Sequence, residues 1–343
     1  MTDAGSLLLF ASLPAGSGAL LWWFAKSVQS RPANSRWSRL LAGNALVLLF
    51  LSSLIFLSGE IYFRFSEETD GGELTHASRR WAARYYARNA QGFRDNVDYQ
   101  LPLPPGRRRV TFCGDSFTVG WGVKDVNNRF ANLIRQANPH WDVQVQAQEG
   151  LSTQEEHNNL KRVRAMGCQF DLVVLVYVPN DAEDLVSDKL FVDTGAEHWA
   201  VRHSDFINTL YYRIKTGYDP NLRAYVRSYQ SPYWERHTAH LTALRDFVEA
   251  NGGHLLVVTF PFVSAPLDQT YEYRFAHRQL DQFWNTLGVP HLDLLPLFEK
   301  YSPRQLRVNR FDGHPNEFAH RLAADAIQKF LAENVPALPQ KTR

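Results

Sequence analysis

The chain has 343 residues, 45% of them hydrophobic and 21% charged, with a formal net charge of +2. A balance so near neutral excludes the extended basic surface that nucleic-acid binding needs. The length is more than one small domain requires and suits a mid-sized catalytic domain with an appendage.

Residues 7–24 and 40–57 contain no charge. At about 1.5 Å rise per residue each can cross most of a hydrocarbon core of about 30 Å. Both read as transmembrane helices, with Pro14, Gly16 and Gly18 tolerated in the first. A cleaved signal peptide is the competing reading of the first stretch, but residues 1–6 lack the basic segment it needs. Trp22, Trp23 and Trp37 near the span ends, and Tyr62 and Phe63 beyond the second, suit interfacial aromatic belts. Lys26, Arg31, Arg36 and Arg39 lie between the spans, whereas Arg64 stands alone just after them. The positive-inside rule then puts the connecting loop in the cytoplasm and both termini outside.

Cys113 and Cys168 are the only cysteines. They fall at opposite edges of a parallel sheet, too far apart to bridge, so two buried thiols are expected. Residues 66–106 read as a polar juxtamembrane linker in which Arg79, Arg80, Arg84 and Arg88 recur among Trp81, Tyr85 and Tyr86. This stretch is either an amphipathic helix at the membrane surface or a helix packed on the domain. The proline-rich run 101–106 ends it.

From there strands and helices alternate: strand 109–113, helix 129–138, strand 142–147, helix 153–165, strand 172–178, helix 237–250, strand 254–260, helix 274–287, strand 291–294 and helix 317–334. Such alternation means an α/β fold, a parallel sheet with helices on both faces. The expected organisation is a two-span anchor at 1–65, a linker at 66–106 and a catalytic domain at 107–337. The alternation is interrupted at 183–236 by an aromatic-rich insertion that includes Phe191, Trp199, Phe206, Tyr211, Tyr212, Tyr218, Tyr225, Tyr229 and Trp234. It reads as a wall or lid over the site, or as a satellite core under a long loop. His237 and His240 lack an acidic or cysteine partner for a metal site, and no glycine-rich phosphate loop occurs; no cofactor is expected.

The first strand runs straight into Gly114-Asp115-Ser116, at the strand end where reacting groups collect in open α/β sheets. Gly150 leaves the second strand, Asn180 the third, and Asp312-Gly313-His314 lies just before the last helix. Alone, each block is ordinary turn or cap chemistry. Together, in this order, they resemble the SGNH family, also called GDSL-type esterases, of a membrane-anchored kind, over roughly residues 89–331. The resemblance implies a three-layer doubly wound parallel sheet of flavodoxin type and a serine ester hydrolase. It implies Ser116 as nucleophile, His314 as base and Asp312 as its orienting carboxylate, with the oxyanion held by the backbone amides of Ser116 and Gly150 and the side-chain amide of Asn180. Asp115 is expected to brace the nucleophile turn. Pro179, Gln148, Glu149 and Phe117 depart from the usual pattern and bear on substrate preference. The substrate implied is an acyl ester, notably acetyl groups of a cell-envelope or exported polysaccharide, and the catalytic domain is extracytoplasmic. An O-acetyltransferase would use the same residues, and a catalytically silent binding subunit would have no need of them.

Overall fold

The computed structural model describes residues 3–29, 36–66, 68–70, 74–182, 185, 198–217 and 224–334. Phe191, Tyr218 and Arg31 lie outside them. Five strands, β1 (Arg108–Gly114), β2 (Trp141–Ala147), β3 (Leu172–Tyr177), β4 (His254–Thr259) and β5 (His291–Asp293), form one parallel sheet in the order β2-β1-β3-β4-β5. This is the doubly wound, flavodoxin-like order. The run Leu172-Val-Val-Leu-Val-Tyr177 is buried at every position, as a central parallel strand covered on both faces must be. The step from β1 to β2 runs opposite to the later steps, so right-handed crossovers place helices on both faces. Phe130–Ala137 packs with Glu317–Asn334, and Thr153–Ala165 with Tyr233–Ala250.

Register positions the site. Gly114 pairs with Ala147 on one side and Val176 on the other, so the segments leaving β1, β2 and β3 emerge level with one another where the strand order reverses. At Gly114 a Cβ would lie 2.2 Å from Thr118 Oγ1 and 2.7 Å from the Val176 carbonyl. Only glycine lets the turn after β1 close this tightly. Cys113 and Cys168 are both buried and free, and burial pushes both thiols up.

The chain divides into two compact units. The α/β unit takes in residues 69–72 and 81–191 and everything from 220 onward. The second half of the expected linker is thus built into it. Arg94, buried, donates to the carbonyls of Val119, Gly120 and Val123. Asp95, also buried, accepts from Arg135, Arg129, Tyr99 and Asn132. Segment 89–95 therefore clamps the turn that follows Gly114-Asp115-Ser116.

The other unit comprises residues 1–68, 73–80 and 192–219. Its helices Asp3–Gln29 and Arg36–Phe65 contain stretches, Gly5–Gln29 and Trp37–Phe65, long and apolar enough to cross a membrane. Ser17 and Ser53 hydroxyls meet at 3.0 Å between them, and Phe10 packs edge-on to Phe56. Residues Trp199–His203 and Asp205–Gly217 of the insertion are helical and belong here. Phe206 stacks on Phe63, and a Cβ on Gly59 would meet its ring at 2.8 Å. Glu60, fully buried, accepts from Ser204 Oγ at 2.7 Å and from the amides of Asp205 and Phe206, closing the start of helix Asp205–Gly217. The insertion, expected as a wall or lid or as a satellite core, is divided between the units. Tyr229 lies in the α/β core, and Tyr225 and Trp234, half-buried, pack against it.

Candidate active site

Asp115 is the N-cap of the short helix Ser116–Val119, and its Oδ1 accepts from Phe117 N at 2.8 Å. The N–H of Ser116, at the first helical position, has no acceptor within the helix. The Ser116 hydroxyl lies 2.8 Å from His314 Nε2, and His314 Nδ1 lies 2.6 Å from Asp312 Oδ1. Three residues spread over nearly two hundred positions thus form one hydrogen-bonded chain. With Nδ1 donating to the carboxylate, Nε2 is left as the acceptor facing the serine, the tautomer a general base needs.

The loop that carries His314 is closely constrained. The His314 amide also donates to Asp312 Oδ1, at 3.0 Å, and the Asn309 side chain accepts from the amides of Phe311 and Asp312. Asn316 caps the last helix by accepting from Ala319 N at 3.0 Å, while its own amide donates to the carbonyls of Gln305 and Arg307. The Phe117 ring packs 5.4 Å from the His314 ring. Burial pushes the His314 imidazole down, the Asp312 carboxylate beside it pushes it up, and the net shift is upward.

Asn180 follows β3 in a turn. Its Nδ2 donates to Asp115 Oδ2 at 3.2 Å, so a single aspartate braces both the nucleophile turn and the asparagine. Burial raises the Asp115 carboxyl, and the hydrogen bonds from Phe117 and Asn180 partly offset this. The asparagine turn is held from two further sides. Asp181, buried, accepts from Val178 N, and Tyr229 donates to the Pro179 carbonyl at 3.0 Å. Tyr229 continues through Tyr177 at 2.6 Å to His237 Nε2 at 2.8 Å. His237, more simply read from the sequence as a surface or core histidine than as a metal ligand, is buried and ends a relay that positions the Asn180 turn. Gly150 sits in a turn after β2 with φ +66°, a left-handed conformation that glycine adopts without strain.

One participant carries no sequence signal. Thr69, buried four positions beyond the end of helix Arg36–Phe65, donates from its hydroxyl to Asp312 Oδ2. Its carbonyl accepts from Asn309 Nδ2 at 2.9 Å. Each oxygen of Asp312 is thereby engaged, one by His314 and the other by Thr69. A threonine in a polar linker resembles any other threonine, and only its tertiary position distinguishes it.

Neither a protein-family model nor a curated protein matches the sequence. Among solved structures, the chain is similar to a putative acylhydrolase from Bacteroides fragilis, at 16% identity over 69% of this chain and 92% of that one, with a TM-score of 0.40. It is also similar to a putative lipolytic protein of the G-D-S-L family from Desulfitobacterium hafniense, at 14% identity over 66% and 100%, with a TM-score of 0.43. A third is a two-domain esterase active on acetylated mannans, at 14% identity over 69% and 52%, with a TM-score of 0.36.

Proposed function

We propose that this chain is a membrane-anchored serine esterase whose catalytic unit lies outside the cytoplasm and whose substrate is an acyl ester, most simply an acetyl ester of an envelope or exported polysaccharide. The observation that carries the reading is the Ser116–His314–Asp312 chain, at 2.8 and 2.6 Å, at the carboxyl ends of the central strands. Ser116 Oγ attacks the ester carbonyl carbon while its proton passes to His314 Nε2. The negative oxygen that forms is met by the amides of Ser116 and Gly150 and by Asn180 Nδ2. Collapse breaks the bond to the alcohol oxygen, which takes the proton from His314 and leaves an acyl-serine. Water, deprotonated by the same imidazole, attacks the acyl-serine, and the acid departs as Ser116 recovers its proton. Asp312 keeps its charge throughout and stabilises the imidazolium of each step. The two apolar helices are the anchor, and Lys26, Arg31, Arg36 and Arg39 hold their connection in the cytoplasm.

The test offers the purified full chain in detergent p-nitrophenyl acetate and an acetylated polysaccharide, with and without an acceptor sugar. Acetate release without acceptor is expected; turnover seen only with acceptor would make the protein a transferase, and none under either condition would remove the enzymatic reading. For orientation, alkaline phosphatase fused after Arg94 should be active and fused at Asn34 inactive, and the reverse pattern would place the catalytic unit in the cytoplasm.

A further inference from the structure

In the insertion helix Asp205–Gly217 the polar face is the buried one. Asp205, Asn208, Thr209 and Tyr212, one stripe at helical spacing, are all buried. Asn208 accepts from the His76 amide at 2.9 Å and donates to the Val201 carbonyl at 3.0 Å, and the Thr209 hydroxyl donates to the Asp205 carbonyl at 2.8 Å. On the opposite side Leu210, Tyr211 and Ile214 are 48%, 39% and 53% exposed. With half-buried Ile207 they occupy positions i, i+3, i+4 and i+7, a complete apolar stripe turned outward. A helix on the surface of a soluble domain turns such a stripe to its core. One exposed apolar side chain needs no explanation, but a whole stripe opposite a buried polar face fits surroundings that are themselves apolar.

The level at which this helix is attached is the second observation. Residues 40–57 carry no charge, and Glu60 is the first acidic or basic residue beyond them. At about 1.5 Å per residue it stands less than one turn past the end of that stretch. Glu60 accepts from the amides of Asp205 and Phe206, so the insertion helix begins there. The Phe206 ring lies 5.9 Å from Phe56 and 6.0 Å from Phe63, and the Arg213 guanidinium, two turns further on, lies 5.1 Å from the same Phe63 ring. These two turns therefore stay beside the end of the apolar stretch, which in a bilayer is the boundary between acyl chains and headgroups. Ile61 and Tyr62, next to Glu60, are exposed as well, and an amphipathic ring such as Tyr62 or Tyr211 suits that boundary.

We infer that the helix Asp205–Gly217 is a third membrane-contacting element, lying in the bilayer interface with Ile207, Leu210, Tyr211 and Ile214 against the acyl chains. The inference rests on the membrane-anchored reading. Helices of this kind bury their apolar face about 5–10 Å into the boundary between headgroups and chains, a depth that lipid-borne quenchers report. The full chain is placed in phosphatidylcholine nanodiscs with an environment-sensitive fluorophore on Leu210→Cys or Ile214→Cys, on Leu48→Cys within the apolar stretch, or on Lys329→Cys of the α/β unit. All four replace exposed side chains, and the wild type, whose Cys113 and Cys168 are buried, gives the background. Labels at 210 and 214 should lose fluorescence to phosphatidylcholine carrying a nitroxide high on its acyl chain and keep it against aqueous iodide. The label at 48 should also be quenched from the lipid, and the label at 329 by iodide alone. Iodide quenching at 210 and 214 equal to that at 329, with lipid quenching kept at 48, would overturn the interfacial helix and leave the anchor standing. Protection of 210 and 214 from both quenchers would assign the stripe to a protein surface and overturn the lipid contact. Loss of lipid quenching at 48 would overturn the anchor, and the inference with it.

Discussion

Asp95 and Asp312 are both buried carboxylates of the α/β unit, each receiving several hydrogen bonds, and they differ in what donates. Arg135 reaches Asp95 at 2.9 and 2.6 Å, Arg129 at 3.2 Å, Asn132 at 3.1 Å and Tyr99 at 2.5 Å. None of these donors gives up its proton near neutrality. Asp312 meets His314 through Oδ1 and Thr69 through Oδ2. An imidazole does exchange its proton near neutrality, and here it is 2.8 Å from a serine hydroxyl. The same acid is thus a structural clamp where its partners keep their protons, and is placed to serve a proton path, as proposed above, where its partner is an imidazole. Burial alone would not have separated the two roles.

The contrast breaks most sharply at the nucleophile. Ser116→Ala should lower kcat by about 10⁶-fold and abolish fluorophosphonate labelling, with no change in melting temperature. Persistent labelling of the mutant would place the nucleophile elsewhere.

Asp95→Ala should do the reverse, because removing one side of a buried ion cluster leaves Arg129 and Arg135 uncompensated at a cost of about 3–5 kcal/mol. Turnover per folded molecule should hold, as denaturant melts run beside the assay will show. Burial pushes the Asp95 carboxyl up, but hydrogen bonding and charge from Arg135 and Arg129 outweigh it and set it well below the usual range. Its folded value is thus below its unfolded one. The stability it contributes is complete above the unfolded carboxylate value of about 3.9 and lost as pH falls toward the folded value. Between pH 5 and 2 the wild type should therefore lose more stability than Asp95→Ala, and parallel acid curves would show that the cluster is not charged as drawn.

Asn180→Ala should reduce kcat by about 10²–10³ at nearly constant KM, since an oxyanion donor acts in the transition state. An unchanged kcat with a lowered melting temperature would leave Asn180 a turn residue only.

The smallest effect sharpens the comparison furthest. Thr69→Val should lower kcat/KM by about tenfold, the scale of one hydrogen bond to a charged group, and Thr69→Ser should restore it. Without that hydrogen bond Asp312 presents more negative charge to His314. The imidazole, already raised, should then rise further, moving the acidic limb of the kcat/KM profile to higher pH. A tenfold loss with an unmoved limb would mean that Thr69 merely packs the loop.

Periodicity and short motifs made much of this legible. The helices expected at 153–165 and 317–334 are observed as Thr153–Ala165 and Glu317–Asn334, because a local apolar pattern and a local cap determine such elements. The strand-ending blocks at Ser116, Gly150 and Asn180 could be read for a similar reason, since the end of a parallel strand is marked by residues adjacent in the chain. The two apolar helices needed only composition and length. What the linear pattern left undecided were partnerships across distance. Whether Thr69 sits free in a linker or against Asp312, whether Glu60 is a stray charge in an apolar helix or the cap of an insertion helix, and whether Tyr229 lids a site or braces the Pro179 carbonyl are matters of which surfaces meet. A buried polar group must find a hydrogen-bond partner, but nothing in its sequence neighbourhood names that partner; packing chooses it among residues up to 243 positions away.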